Sequence, residues 1–223
     1  MGHDITLTAD DGFQLGGYRA DPAGAAAASV VVIQEIFGVN HHIRAVCDRF
    51  AAQGYRAVAP AIFDRIERNF QSGYSPEEIA VARKFVATPD WDAMLRDTQA
   101  AIDSVKAEGP VGVIGFCLGG SVAYLAATRL GGLSAAVGYY GGAIVRFADE
   151  APKVPTQLHF GEKDSGIPLA DVETIRAKRP EVDIHVYLEA QHGFGCDERA
   201  SFDKQSSDRA WQRTLDFFGT YLK

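Results

Sequence analysis

Residues 111–127 read VGVIGFCLGGSVAYLAA, and their reading decides the fold. Val111–Gly115 is a short apolar run bounded by Pro110, as expected of a buried strand. From Gly119 to Leu130 the residues suit a helix. Between them Gly115, Gly119 and Gly120 surround Cys117. A chain that passes from strand to helix in so few residues turns sharply. The turn exposes its central side chain at the sheet edge, and glycines permit the close backbone approach it needs. In many hydrolases the spacing G-x-Ser-x-G holds a nucleophilic serine there. Here the position is a cysteine. A free cysteine is often only a small buried hydrophobe. A helix start, however, offers unpaired N–H groups and a positive dipole end, which favour thiolate over thiol. The Leu118 N–H would face an incipient oxyanion.

Working outward, the chain alternates strands and helices. Two alternating runs near Ile5–Thr8 and Phe13–Tyr18 flank "ADDG", a hairpin signature. "SVVVIQ" (29–34) and "YRAVAP" (55–60) are strands, separated by a helix from about Ile43 to Gln53 that stops at Gly54. Residues 76–108 read as two helical pieces. Ser75 caps the first, Pro76 opens it, and "TPDWD" divides it from a second that runs from Asp90 to Glu108. Strands follow at 133–141, 156–161 and 183–189, with a helix at 169–178 between the last two. The closing helix, about Asp203 to Tyr221, repeats Trp211, Leu215, Phe218 and Leu222 on one face. This pattern predicts one α/β domain over residues 1–223, a mostly parallel central sheet with helices on both faces. Functional loops then lie at the carboxyl ends of its strands.

Composition narrows the function. The 223 residues are 47% hydrophobic and carry a net charge of −7. That balance argues against a nucleic-acid partner and against docking on anionic lipid. No run approaches about 18 apolar residues, so no membrane partner is expected. The polar start MGHDITLTADDG does not read as a secretory signal, and three cysteines imply free thiols in a cytoplasmic setting. A small-molecule substrate is the expected partner, for a monomer or small homo-oligomer.

A thiol nucleophile needs a base and an acid that orients it, in the order nucleophile, acid, histidine. "HFGEKDSGIP" offers Asp164 after a strand, with Glu162 as competitor. "YLEAQHGFGCDER" offers His192 after the next strand. His192 would act as general base and then acid, and Asp164 would hold its ring. Glu35 follows "VVVIQ" at a strand end. It is either a surface residue that opens a loop, or a carboxylate that holds or takes the cysteine proton and protects the resting thiol. Adjacent His41 and His42 point apart and lack ligand spacing, so no metal is expected. His159 reads as a core histidine and Cys47 as buried and inert. Cys196 lies close in sequence to His192 and so near the pocket, and no disulfide with Cys117 is expected. No G-x-G-x-x-G or phosphate loop is present, so no cofactor is expected.

Several stretches together resemble the dienelactone hydrolase family: "QEIFGVNHHIRAVCDRFAAQGYRAVAPAIFDR" (34–65), "GVIGFCLGGSVAY", "AVGYYGG", "HFGEKD" and the final "HGF". The resemblance covers nearly the whole chain. It implies an α/β-hydrolase fold and a Cys117–His192–Asp164 triad, with Glu35 touching the thiol. It implies Ile36 and Leu118 as oxyanion-hole donors, and Phe37, Asn40 and Tyr140 as pocket residues. The implied activity is hydrolysis of a lactone or carboxylic ester, carboxymethylenebutenolidase-like, through a thioester. The alternatives are an esterase or thioesterase for a neutral substrate, or a redox-sensing or ligand-binding homologue without catalysis. The family's dienelactone-cleaving members grip the substrate carboxylate with two arginines. Here Arg83 is the nearest candidate in the helical stretch, and no arginine follows His192 until Arg199. With both grips absent, an anionic lactone should bind poorly.

Overall fold

The computed structural model describes residues 2–223. Its centre is one eight-stranded sheet in the order β1-β2-β4-β3-β5-β6-β7-β8. β1 (His3–Thr8) and β2 (Gln14–Ala20) form the expected antiparallel hairpin. Its turn closes through the Ala9 N–H donating to the Phe13 carbonyl (2.9 Å). β2 runs antiparallel to β4 (Arg56–Pro60). The remaining pairs are parallel: β3 (Ser29–Ile33) with β4 and with β5 (Val111–Phe116), then β6 (Ala135–Tyr139), β7 (Thr156–Gly161) and β8 (Asp183–Tyr187).

The continuous apolar strands are explained by burial on both faces. Val30 and Val32 of β3 pack into one apolar layer, Val31 and Ile33 into the other. Ile114 and Phe116 of β5 likewise oppose Val111 and Val113. The first layer is covered by α1 (His41–Ala52) and α6 (Lys204–Tyr221), through Ile43, Val46, Phe50, Ala210 and Phe218. The second is covered by α3 (Trp91–Asp103) and α4 (Leu118–Arg129), through Met94, Leu95, Ile102, Val122 and Leu125. α2 (Pro76–Phe85) and α5 (Leu169–Lys178) complete the helices. No helix among the described residues is long and apolar enough to cross a membrane.

Local signals placed most helix ends within a residue or two. Ser75 and Glu78 form a reciprocal capping box at α2. Asp203 caps α6 by accepting from the Ser206 N–H (2.7 Å). One boundary differs from the sequence expectation: α3 stops at Asp103, not Glu108. Val105 turns into the core, a short 3-10 turn spans Lys106–Glu108, and Gly109 at φ 141° redirects the chain into β5.

Candidate active site

β5 ends at Phe116 and α4 begins at Leu118, so Cys117 alone makes the turn. Its backbone sits at φ 55°, ψ −113°, where an L-residue is strained. Three hydrogen bonds hold it there. Its N–H donates to the Tyr139 carbonyl (3.0 Å), and its carbonyl accepts from Gly120 (3.0 Å) and Ser121 (3.3 Å). Glycine lets the pieces come this close. A Cβ on Gly115 would lie 1.9 Å from the Gly119 oxygen, and one on Gly119 would lie 2.4 Å from the Ile33 oxygen. Leu118, the first helical residue, carries one of the N–H groups that a helix leaves without an internal acceptor.

Two more strand ends bring Asp164 and His192 to this turn. Asp164 follows β7, and its side chain is fully buried. Its Oδ1 accepts from the Gly166 N–H (2.8 Å), and its Oδ2 lies 2.7 Å from His192 Nδ1. His192 follows β8, and its Nε2 lies 3.1 Å from Cys117 Sγ. The three groups form one line, Asp164–His192–Cys117, with the imidazole nitrogens each facing one partner. Glu162, the competing acid, instead accepts from the Glu189 N–H (3.2 Å). Burial works against a charged imidazole at His192. The Cys117 sulfur and the Asp164 carboxylate outweigh it and raise the pKa to about 10.

Glu35 is buried two residues past the end of β3. Its Oε1 accepts from Arg199 Nη1 at 3.0 Å, and its Oε2 has no hydrogen-bond partner. This corrects the expected contact with the thiol: the sulfur faces His192, and a guanidinium holds Glu35. It also corrects the expected lack of an arginine beside the histidine. Arg199 lies seven residues beyond His192, yet it folds back over the Phe37 and Tyr74 rings (5.7 and 6.0 Å). Gly193, at φ 80°, makes room, because a Cβ there would sit 2.6 Å from the Arg199 guanidinium carbon. Burial opposes the charge on Arg199, but Glu35 raises its pKa above the ordinary arginine value. In the sequence Arg199 stands only as the first arginine after His192, because the loop that returns it has no periodicity; the glycine beside His192 is the available signal.

The other expected residues divide. Phe37 is buried edge-on to Tyr74 (4.6 Å). Tyr140 is buried at φ 38°, its ring 5.1 Å from that of His192. Its hydroxyl has no hydrogen-bond partner. Ile36 is half-buried beside Glu35. Asn40 caps α1, accepting from Ile43 (3.3 Å) and donating to the Tyr74 hydroxyl (3.0 Å), so it fixes the wall and does not present its amide to the recess. Arg83 is exposed on α2. His159 is a core residue with ring nitrogens bonded to Tyr187 (2.8 Å) and Gln157 (2.9 Å). All three cysteines are free. Burial raises the thiol pKa of Cys47, and raises that of Cys196 to about 12.

The parallel-dominated sheet, its two helical layers and the strand–elbow–helix turn at Cys117 define an α/β-hydrolase fold. The model of the dienelactone hydrolase family matches residues 15–222. The chain belongs to that family, and is an ester hydrolase of the dienelactone hydrolase type. A Synechocystis protein provisionally named a carboxymethylenebutenolidase is 40% identical, with 94% of this chain and 93% of that one covered. The carboxymethylenebutenolidase of Pseudomonas putida is 32% identical over 96% and 94%. A crystal structure from Klebsiella pneumoniae, provisionally named a dienelactone hydrolase, superposes with a TM-score of 0.87 at 30% identity. It spans 99% of this chain and 100% of that one.

Proposed function

We propose that the protein hydrolyses a carboxylate-bearing lactone of the dienelactone type through a thioester on Cys117. The observation that carries this is the Asp164–His192–Cys117 line, at 2.7 and 3.1 Å, at a strained strand-to-helix turn. The reacting form is a thiolate at Cys117 paired with an imidazolium at His192. The thiolate attacks the carbonyl carbon, and the N–H groups of Leu118 and Ile36 receive the oxyanion. As the intermediate collapses, the ring C–O bond breaks and the leaving enolate takes the His192 proton. An enolate leaves readily, so weak acid assistance suffices.

Acylation changes the electrostatics of the base. Once the sulfur is a neutral thioester, the thiolate charge that raised the His192 pKa is gone. The imidazole is then neutral and takes a proton from water, whose oxygen attacks the thioester. Collapse releases the acid and restores the thiolate–imidazolium pair. Asp164 orients the ring throughout. Arg199 offers its remaining N–H groups to the substrate carboxylate, while Glu35 holds the guanidinium in position.

The test compares cis- and trans-dienelactone with p-nitrophenyl acetate for wild type, Cys117→Ala and Arg199→Ala. Cys117→Ala should lose on the order of 10³-fold or more in kcat on every substrate. Arg199→Ala should weaken kcat/KM for the lactone by about 10–100-fold more than for the acetate, the value of a charge-assisted hydrogen bond. Undiminished turnover by Cys117→Ala would overturn the mechanism. Cleavage of the acetate alone by wild type would instead assign a neutral ester.

A further inference from the structure

One cluster beside the proposed active site shares only Glu35, the anchor of Arg199, with that chemistry. Glu35, His42 and Cys196 come from the end of β3, the first turn of α1 and the loop after His192. All three are at least 97% buried, and one ligand-type atom from each lies within 4.8 Å of the other two. Two of these groups are unsatisfied. Glu35 Oε2 and His42 Nε2 are both buried without a hydrogen-bond partner. An orphaned buried carboxylate oxygen is costly, as is an orphaned ring nitrogen, so such groups call for a partner that completes them.

The surroundings orient these atoms as a metal site would. Glu35 is anchored through its other oxygen by Arg199 (3.0 Å), which leaves Oε2 free. His42 Nδ1 faces the exposed Asp197 carboxylate at 3.5 Å, which leaves Nε2 turned inward. A carboxylate behind a histidine is the usual outer support of a metal-ligating imidazole. Asp197 thus also places a carboxylate at the surface beside His42, while Glu198 pairs with His41. The donor set is one carboxylate oxygen, one imidazole nitrogen and one sulfur. That mixture suits Zn²⁺ and its tetrahedral analogues, and does not suit Mg²⁺ or Ca²⁺, which take oxygen. Atoms no more than 4.8 Å apart share a centre within about 2.8 Å of each. Inward side-chain shifts of about 0.5–0.8 Å reach the 2.0–2.3 Å bonds of zinc.

We propose that Glu35, His42 and Cys196 form a binding site for a zinc-class divalent cation, with a fourth position left for solvent. The adjacent histidines lack ligand spacing in the sequence; in the fold His41 faces solvent, and the partners of His42 come from two distant segments. On binding, the Cys196 thiol loses its proton to solvent and its sulfur bonds the metal. The cation engages the carboxylate that positions Arg199, so occupancy inhibits turnover. That inhibition rests on the function proposed above; the binding does not.

Cation binding is tested with the metal alone. Cys117→Ala protein, treated with chelator, is titrated with CoCl₂. The expected result is a saturable thiolate-to-cobalt band at one equivalent, with tetrahedral visible bands, displaced by one equivalent of ZnCl₂. Adding Cys196→Ser should abolish the charge-transfer band, and adding His42→Gln should weaken binding at least tenfold. Thermal melts establish that each variant is folded. No saturable cobalt band, or a band that survives Cys196→Ser, overturns the site. In parallel, ZnCl₂ should inhibit p-nitrophenyl acetate turnover by wild type, with Cys196→Ser at least tenfold less sensitive. Equal sensitivity alongside intact cobalt binding overturns the inhibitory role alone.

Discussion

At residue scale the site depends on charges that support one another. The His192 pKa of about 10 stands against burial only because Cys117 and Asp164 lie on either side of the ring. The pH dependence of each half-reaction follows. For the lactone, whose leaving enolate takes the His192 proton, kcat/KM should fall as pH passes about 10. Asp164→Asn removes one cause of the raised value and should move that limb to lower pH. It should also cut kcat on the order of 10²–10⁴-fold, by loosening the ring. In the proposed mechanism, hydrolysis of the thioester needs neutral imidazole, whose pKa should fall toward the ordinary histidine value once the thiolate is consumed. The acid limb of kcat therefore lies well below 10. A stopped-flow pH series separates the two limbs. Gly193 is a second single-residue control. Gly193→Ala sets a Cβ against the Arg199 guanidinium at a φ of 80°. It should cost about 1–2 kcal/mol from the backbone alone, and should lower kcat/KM for the lactone more than for the acetate. An equal loss on both would mean that Arg199 does not discriminate.

At the scale of elements, the close contact between α4 and the sheet makes the elbow. The first turn of α4 rests on the carbonyls at the end of β3, with Gly119 against Ile33 and Gln34. Gly119→Ala would place a methyl 2.4 and 2.5 Å from those two backbone oxygens, which cannot rotate away. The helix start must shift, carrying Cys117 with it. The expected cost is about 3 kcal/mol in urea unfolding, with loss of most turnover in the folded fraction. Unchanged stability and activity would mean that the elbow tolerates a wider separation. These glycines were legible in the sequence, because their spacing between an apolar strand and a helical run has one geometric solution. The end of α3 was not legible, since inward packing of Val105 cut short a run whose local composition remained helical.

At the scale of the whole molecule, surface charges tie the antiparallel edge to its neighbours. Asp11 is held by Arg65, which also forks to the buried Asp97 of α3. Asp21 pairs with Arg19 and Arg56, joining β2 to β4. Hydrogen bonds from these arginines lower both carboxyl pKa values from 3.8 to about 2. The folded chain thus favours their ionised forms. Their contribution is present above pH 3.8 and is lost as pH falls through about 2. The urea midpoint should decline across that window, and Asp21→Asn should shrink the decline. An identical decline in the variant would assign it to other carboxylates.

The sequence alone determined the alternation of strands and helices, the elbow at Cys117 and the order of its partners. Each of these rests on short-range facts: apolar runs that must be buried, glycines that permit close approach, and strand ends where loops begin. Only the tertiary structure decided what faces Glu35. Arg199 and Cys196 reach it from beyond His192, and His42 reaches it from α1. Such contacts depend on how separate loops pack over one strand end, and on a turn at Gly193 whose direction no local pattern encodes. Chain order could therefore place Cys117 at the elbow, but the partners of the buried carboxylate were set by folding.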